Sequence, residues 1–180
     1  MEDVTILDER NDMTAELDAA IRESLCLAMP GDAAAFSVSR AWHGSAPSYS
    51  AILQRHGRAV AHAGVVDRTI VAGRIPVRVA GVQNVFVLPE ERGRGLSTPV
   101  MRAAMLEAGR RGFDLGLLFC LPELAKIYAP LGWTDLGVRD VVRTAHGERL
   151  PLPGKNIAMF HALRLDSFPE GQIDLRGNDW

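Results

Sequence analysis

Cysteine is nearly absent from this 180-residue chain: Cys26 and Cys120 stand alone, with neither a CxxC spacing nor a histidine cluster beside them. That excludes a disulfide framework and a sequence-defined zinc site, and such usage fits a reducing cytoplasm. Long apolar runs are missing too. No stretch reaches the roughly 18 residues that a membrane span requires, and Met1 to Arg10 is too charged for a signal peptide. Charge of one sign is not in excess either. A net charge of -2, with 23% charged and 47% hydrophobic residues, excludes a disordered chain and a nucleic-acid partner held by bulk charge. The histidines, His43, His56, His62, His146 and His161, show no metal-ligand spacing, so no metal is expected. What these absences leave is a soluble, cytoplasmic protein, and 180 residues suit a single domain over 1–180.

Periodicity sorts the rest. Val4 to Leu7 reads as a short strand, and Thr14 to Ala28 sets Leu17, Ala20, Ile21, Leu25 and Ala28 at helical spacing. Asn11 or Asp12 is the expected cap of that helix, and Met29, Pro30 and Gly31 are its stop. From Gly31 to Ser48 the chain is small, polar and broken by Pro47, and Phe36, Trp42 and His43 mark it as a substrate-side loop. Tyr49 to Arg55 and Arg58 to Val66 are strands about a His56-Gly57 turn, and Ile75 to Leu88 follows a turn at Ala72-Gly73. Thr98 to Arg111 is helical, with Pro99 in its first turn, an apolar stripe of Met101, Ala104, Met105 and Ala108, and Gly112 as its stop. Phe113 to Cys120 is an almost continuous apolar strand, as expected for one covered on both faces. Pro122 to Ala129 is a short helix, and Val138 to Arg143 and Ile157 to Leu165 are strands on either side of a Pro/Gly-rich connection. The order predicts an α/β fold, a mixed and mostly antiparallel sheet flanked by helices.

One turn carries chemistry. Arg92, Gly93, Arg94, Gly95, Leu96 and Ser97 join a strand to a helix. Such a junction gathers unpaired backbone N–H groups and the positive end of the helix dipole, which makes an anion site. Arg92 and Arg94 add guanidinium forks suited to phosphate oxygens. The lysine of a Walker A loop and the complete GxGxxG of a dinucleotide fold are both lacking. Taken alone, the turn fits a charged surface loop or a diphosphate cradle.

The Arg-x-x-Gly-x-Ser turn after a strand, followed by a second strand and by Ala125-Lys126-Ile127-Tyr128-Ala129-Pro130-Leu131-Gly132-Trp133, resembles the GCN5-related N-acetyltransferase (GNAT) superfamily. The resemblance implies the GNAT fold, with a splayed pair of central strands, and acetyl-coenzyme A as co-substrate. It places the pyrophosphate at Arg92, Gly93, Arg94, Gly95, Leu96 and Ser97, and the pantetheine arm along the backbone of Val85, Phe86 and Val87. Tyr128 becomes the acid that protonates the departing thiolate. His56-Gly57, Ala61-His62-Ala63, the run from Gly81 to Val87, Tyr128, Gly132-Trp133 and the tail Gly177-Asn178-Asp179-Trp180 are similar to aminoglycoside 2′-N-acetyltransferases. The tail is more weakly similar to rhizobial nodulation N-acyltransferases.

That closer resemblance implies a homodimer and an amino-sugar acceptor held by Gln83, Trp42, Asp179 and Trp180. Asp179 or the terminal carboxylate of Trp180 would attract the ammonium group and take its proton. Two positions depart from the family: Gln83 stands where a glutamate is common, and Ala41 replaces the acid before the loop tryptophan. With both anions gone, a less cationic acceptor is expected, kasugamycin rather than gentamicin or tobramycin, acetylated at its 2′ amine with antibiotic resistance as the result. Among the histidines, His43 is the one to test for a role; Cys120, on an apolar strand, is read as inert. An acyltransferase for a protein N-terminus, a lysine or a chitooligosaccharide amine stays open, as does a non-catalytic coenzyme A binding module.

Overall fold

The helical spacing and the strand alternation of the sequence are realised as one curved sheet with helices laid over it. The computed structural model describes residues 3–180. β1 (Val4–Asp8) leads into α1 (Ala15–Ala28) and, after a 3-10 turn, into α2 (Ala33–Phe36). The meander follows as β2 (Tyr49–Arg55), β3 (Arg58–Ala72) and β4 (Ile75–Val87). Then come α3 (Ser97–Arg110), β5 (Leu115–Cys120), α4 (Ala125–Tyr128) and the short β6 (Trp133–Asp135). The chain closes with β7 (Val141–Ala145), β8 (Glu148–Pro151), β9 (Ile157–Ala162) and β10 (Ile173–Asp174).

The strand order is β6-β9-β5-β4-β3-β10-β7-β8, and β2 also pairs with β3 and carries β1 on its other edge. β4 with β5 and β10 with β7 are parallel; the other pairs are antiparallel. This is the mixed, mostly antiparallel sheet expected from the sequence. Successive side chains on a strand point to opposite faces, and the core divides accordingly. Ala80 and Val82 of β4, with Leu118 and Cys120 of β5, belong to the cluster that packs on Ile21 and Leu25 of α1 and Met101, Ala104 and Met105 of α3. Val77 and Val79, with Leu115 and Leu117, join a second cluster closed by Val141, Phe168, Leu175 and Trp180.

The elements end where local chemistry stops them. α3 finishes in a Schellman motif: Gly112 adopts φ +74, its N–H donates to Gly109 O (3.1 Å), and Phe113 N donates to Ala108 O (3.1 Å). The cap of α1 is Thr14, whose Oγ1 accepts from Leu17 N at 3.2 Å, rather than Asn11 or Asp12. Asp12 instead serves the preceding turn, its Oδ2 accepting from Asp8 N at 2.9 Å. β3 runs on to Ala72, well past Val66, because it pairs with β4 as far as Ala72–Ile75, with β10 on its other edge at Val71 and Ala72. The last third of the chain departs furthest from the expectation. The stretch from Val138 opens as an exposed turn and pairs only from Val141, while the Pro/Gly-rich connection contributes a strand of its own, β8, on β7. Among the described residues no helix is long and apolar enough to cross a membrane.

Candidate active site

The two central strands part company halfway. β4 and β5 pair from Val79–Leu115 to Val82–Leu118 and no further, so Gln83 to Val87 and Phe119 to Cys120 diverge. A bulge drives the divergence: the β3–β4 register shifts between His62 and Gly64, and Asn84 sits in the bulge at φ +53. Both polar ends of Asn84 are anchored. Its carbonyl accepts from His62 Nδ1 at 2.9 Å, and its Nδ2 donates to Arg40 O at 2.6 Å. His62 is fully buried, and burial pushes its pKa down to about 4, so the ring is neutral and Nδ1 carries its proton. Behind it, Ser50 Oγ lies 3.0 Å from Nε2 and 2.7 Å from Glu9 Oε1. Buried Arg40 grips both oxygens of Glu9, at 3.0 and 2.6 Å, and gives its Nε to Asp18 at 2.7 Å. The polar network thus fastens the bulge of β4 to the loop after α2.

Beyond β4 the turn from Arg92 to Ser97 enters α3 without a side-chain cap. Among the described residues the amides of Gly93, Arg94, Gly95 and Leu96 have no acceptor. Gly93 (φ +77) and Gly95 (φ +72) hold the left-handed conformation that lets these N–H groups converge, and neither position is crowded. The arginines behave differently from the turn's backbone. Arg92 folds back, donating to Val87 O (3.3 Å) and Ala28 O (3.0 Å), so it ties β4 to the end of α1. Arg94 is exposed and pairs with Glu91 at 2.9 Å.

A cavity of about 520 Å³ brings together Val85, Phe86, Val87, Arg92, Gly93, Gly95, Leu96, Ser97 and Tyr128; Arg94 is not among its walls. Val85 and Tyr128 also wall a smaller space of about 200 Å³ between the splayed strands, with Trp42, Gln83, Cys120 and Trp180. Trp42, Cys120 and Trp180 continue in turn into a chamber of about 650 Å³ lined by His43, Arg143, Lys155 and Asp179. Shared walls set the three spaces in series as a passage from the turn to the tail, and Tyr128 lines the first two. Its ring sits edge-on to Trp133, 6.4 Å between centroids, and burial pushes the phenol up to about 12. Among the described residues its hydroxyl has no hydrogen-bond partner. Burial likewise raises the Cys120 thiol to about 11, which keeps it un-ionised and inert as a nucleophile.

Gln83 is nearly buried, and its Nε2 donates to Ser45 O at 2.8 Å. A carbonyl can only accept, so this contact fixes the amide orientation and turns Oε1 away; Oε1 is buried with no partner. The tail is docked, not frayed. The Trp180 indole lies on Gly81, donates Nε1 to Leu117 O (3.3 Å) and has the Arg68 guanidinium 5.0 Å from its ring centroid. Ser45 Oγ donates to Asp179 O at 2.9 Å, and Arg68 donates to Ser45 Oγ (3.0 Å) and to Asn178 O. Asp179 is not a free carboxylate: Oδ1 accepts from Arg143 Nη1 at 2.9 Å and lies 3.0 Å from His43 Nδ1. Sequence separation hid that last pair, which lies 136 positions apart.

A splayed parallel pair, a bulge and an uncapped glycine turn leading into a helix define an acyl-coenzyme A-dependent N-acetyltransferase of the GNAT type. The acetyltransferase (GNAT) domain family model matches residues 26–135, and the chain belongs to that family. Solved structures agree on the fold. A GNAT family N-acetyltransferase (YhbS) from Escherichia coli in complex with CoA is 16% identical, covering 98% of this chain and 91% of its own, with a TM-score of 0.69. Escherichia coli ElaA is 14% identical over 89% of this chain and 99% of its own, TM-score 0.63. A GNAT family acetyltransferase from Brucella melitensis in complex with acetyl-CoA is 17% identical over 96% of each chain, TM-score 0.58. No curated protein matches the sequence.

Proposed function

We propose that the protein transfers acetyl from acetyl-coenzyme A to a primary amine of an amino sugar, with donor and acceptor bound together. The observation that carries this reading is the passage itself. Its donor end has four orphaned amides at an uncapped helix N-terminus, its middle has the free edges of the splayed strands, and its far end has aromatic and polar walls. Gly93, Gly95 and their neighbours would hold the pyrophosphate by backbone N–H groups. The fold-back of Arg92 makes it a support for the turn, which leaves Arg94, once released from Glu91, as the mobile cation at the mouth. Between Val85 and Val87, the backbone groups of β4 that face away from β3 would pair with the pantetheine arm, and one N–H there would polarise the thioester carbonyl. Tyr128, kept protonated by burial, would donate to the departing sulfur.

The acceptor would lie across Trp42, Gln83, Asp179 and Trp180. Three features favour an amino sugar with few positive charges. Gln83 carries no charge, Ala41 carries none either, and Asp179 is already paired with Arg143. Kasugamycin, acetylated at its 2′ amine, fits that requirement better than gentamicin or tobramycin. The test is thiol release from acetyl-coenzyme A against a panel of aminoglycosides. Turnover with kasugamycin above the multiply charged members is expected. Turnover only with gentamicin or tobramycin would sink the narrower claim, and turnover with none would sink the amino-sugar reading.

A further inference from the structure

A primary amine is largely an ammonium ion at neutral pH, so the reaction needs a base. The Gln83 amide cannot take a proton, and Asp179 is engaged by two donors. His43 is the group the geometry brings forward. It occupies the first central position of a tight turn in which Ser45 N donates to Trp42 O at 2.8 Å, and both central residues, His43 (φ +47) and Gly44 (φ +80), have the positive φ of a type I′ turn. A histidine in that conformation is strained and must be held in place. Asn178 Nδ2 donates to its carbonyl at 3.0 Å, and its ring stacks on Trp42 with centroids 4.6 Å apart.

We propose that His43 is the general base of acetyl transfer and that Asp179 is the positioning residue that sets its tautomer; the assignment rests on the acetyl-transfer reading above. Asp179 Oδ1 lies 3.0 Å from Nδ1, and a carboxylate can only accept, so Nδ1 bears the proton and Nε2 of the neutral ring presents its lone pair. Arg143 Nη1, 2.9 Å from the same oxygen, holds the carboxylate in place. Asp179 is buried while the His43 side chain is 38% exposed and lines the acceptor chamber. Asp32, Arg143, Lys155 and Asp179 are the charged groups around that chamber.

The proton count closes. Nε2 takes one proton from the acceptor ammonium and later releases it to solvent. The freed amine nitrogen bonds to the acetyl carbon as the carbon–sulfur bond breaks. The nitrogen's second proton balances the one that Tyr128 gives to the thiolate, so the products are the amide, the free thiol and one proton in solution. General base help of this kind is worth roughly 10²–10⁴ in rate.

His43→Asn tests the assignment, because asparagine tolerates positive φ and keeps the turn. With the best acceptor of the panel, kcat is expected to fall about 10²-fold while the affinity for acetyl-coenzyme A, measured by calorimetry, stays unchanged. The acid limb that a histidine base gives the wild-type kcat profile is expected to vanish. Asp179→Asn should keep some turnover with a displaced limb. An unchanged kcat and pH profile in His43→Asn would overturn the assignment and leave acetyl transfer standing. A second readout needs no acceptor: nitrogen-15 NMR of the histidine rings should show His43 as the Nδ1–H tautomer, lost in Asp179→Asn. An Nε2–H tautomer in the wild type would overturn the proposal even if the amino-sugar panel gave no turnover.

Discussion

At Tyr128 and His62 the same force, burial, produces opposite shifts with different consequences. Burial disfavours the charged form of either group, so the phenol rises to about 12 and the imidazole falls to about 4. For Tyr128 the consequence is catalytic: a donor that stays protonated gives no falling alkaline limb in kcat below about pH 10 if it is the acid. Tyr128→Phe should lower kcat about 10²-fold with little change in acetyl-coenzyme A affinity, as read by steady-state kinetics and calorimetry. For His62 the consequence is stability. Between the ordinary histidine value of about 6.5 and the folded value of about 4, the unfolded chain binds a proton that the folded chain does not, so stability falls as pH drops through that window and levels off below it. Denaturant unfolding between about pH 7 and pH 4 should lose on the order of 3 kcal/mol from this group, and His62→Gln should flatten that part of the curve. Little of this is visible in a string of letters. The loop position of His43 singled it out in the sequence, but only burial and contacts separate His62, a neutral strut, from a half-exposed ring beside a carboxylate.

At the scale of elements, the parts with strong periodicity were readable and the short ones were not. The apolar stripe of α3 and the unbroken run of β5 declare themselves, because each must satisfy a buried face. β8 and β10 do not: four and two residues are too few to show alternation, and both exist because a neighbouring edge accepts them. Thr14 prevailed as the cap over Asn11 and Asp12 because those residues precede the start of α1 by a full turn. The glycine turn into α3 was legible from its composition, whereas the inward fold of Arg92 depends on where α1 ends. Gly95→Ala tests the turn as an element. Its φ of +72 leaves an alanine strained by about 1–2 kcal/mol although the space is open. The acetyl-coenzyme A KM should rise severalfold to tenfold at nearly constant kcat, and an unchanged KM would mean that the turn does not cradle the donor.

At the scale of the whole molecule, the last residues complete the sheet face and the site together. Trp180 closes the second core cluster, lies on Gly81 of β4 and walls the passage, so core and cavity share one side chain. Truncating Trp180 to alanine should cost about 3–5 kcal/mol in denaturant unfolding. Gly81→Ala should also destabilise, since a Cβ there would come within 2.4 Å of the indole. In the double variant the two losses should fall short of their sum, because the alanine methyl then enters the space the indole has left. Strict additivity would show that the tail does not sit on β4. That Val85 to Ser97 and Tyr128 would share one cavity was readable in the chain because most of that wall is local. The second chamber was not, because it joins the loop turn at Trp42 and His43 to Arg143 and Asp179, and no period or motif connects segments so far apart. The measurement that bears most directly on the central claim is NMR of the product formed from acetyl-coenzyme A and kasugamycin by the purified full chain. A single new acetyl group on the 2′ nitrogen, absent from the same incubation with Tyr128→Phe over the same time, is the predicted result; unmodified kasugamycin, or acetate released with no acetylated sugar, would contradict it.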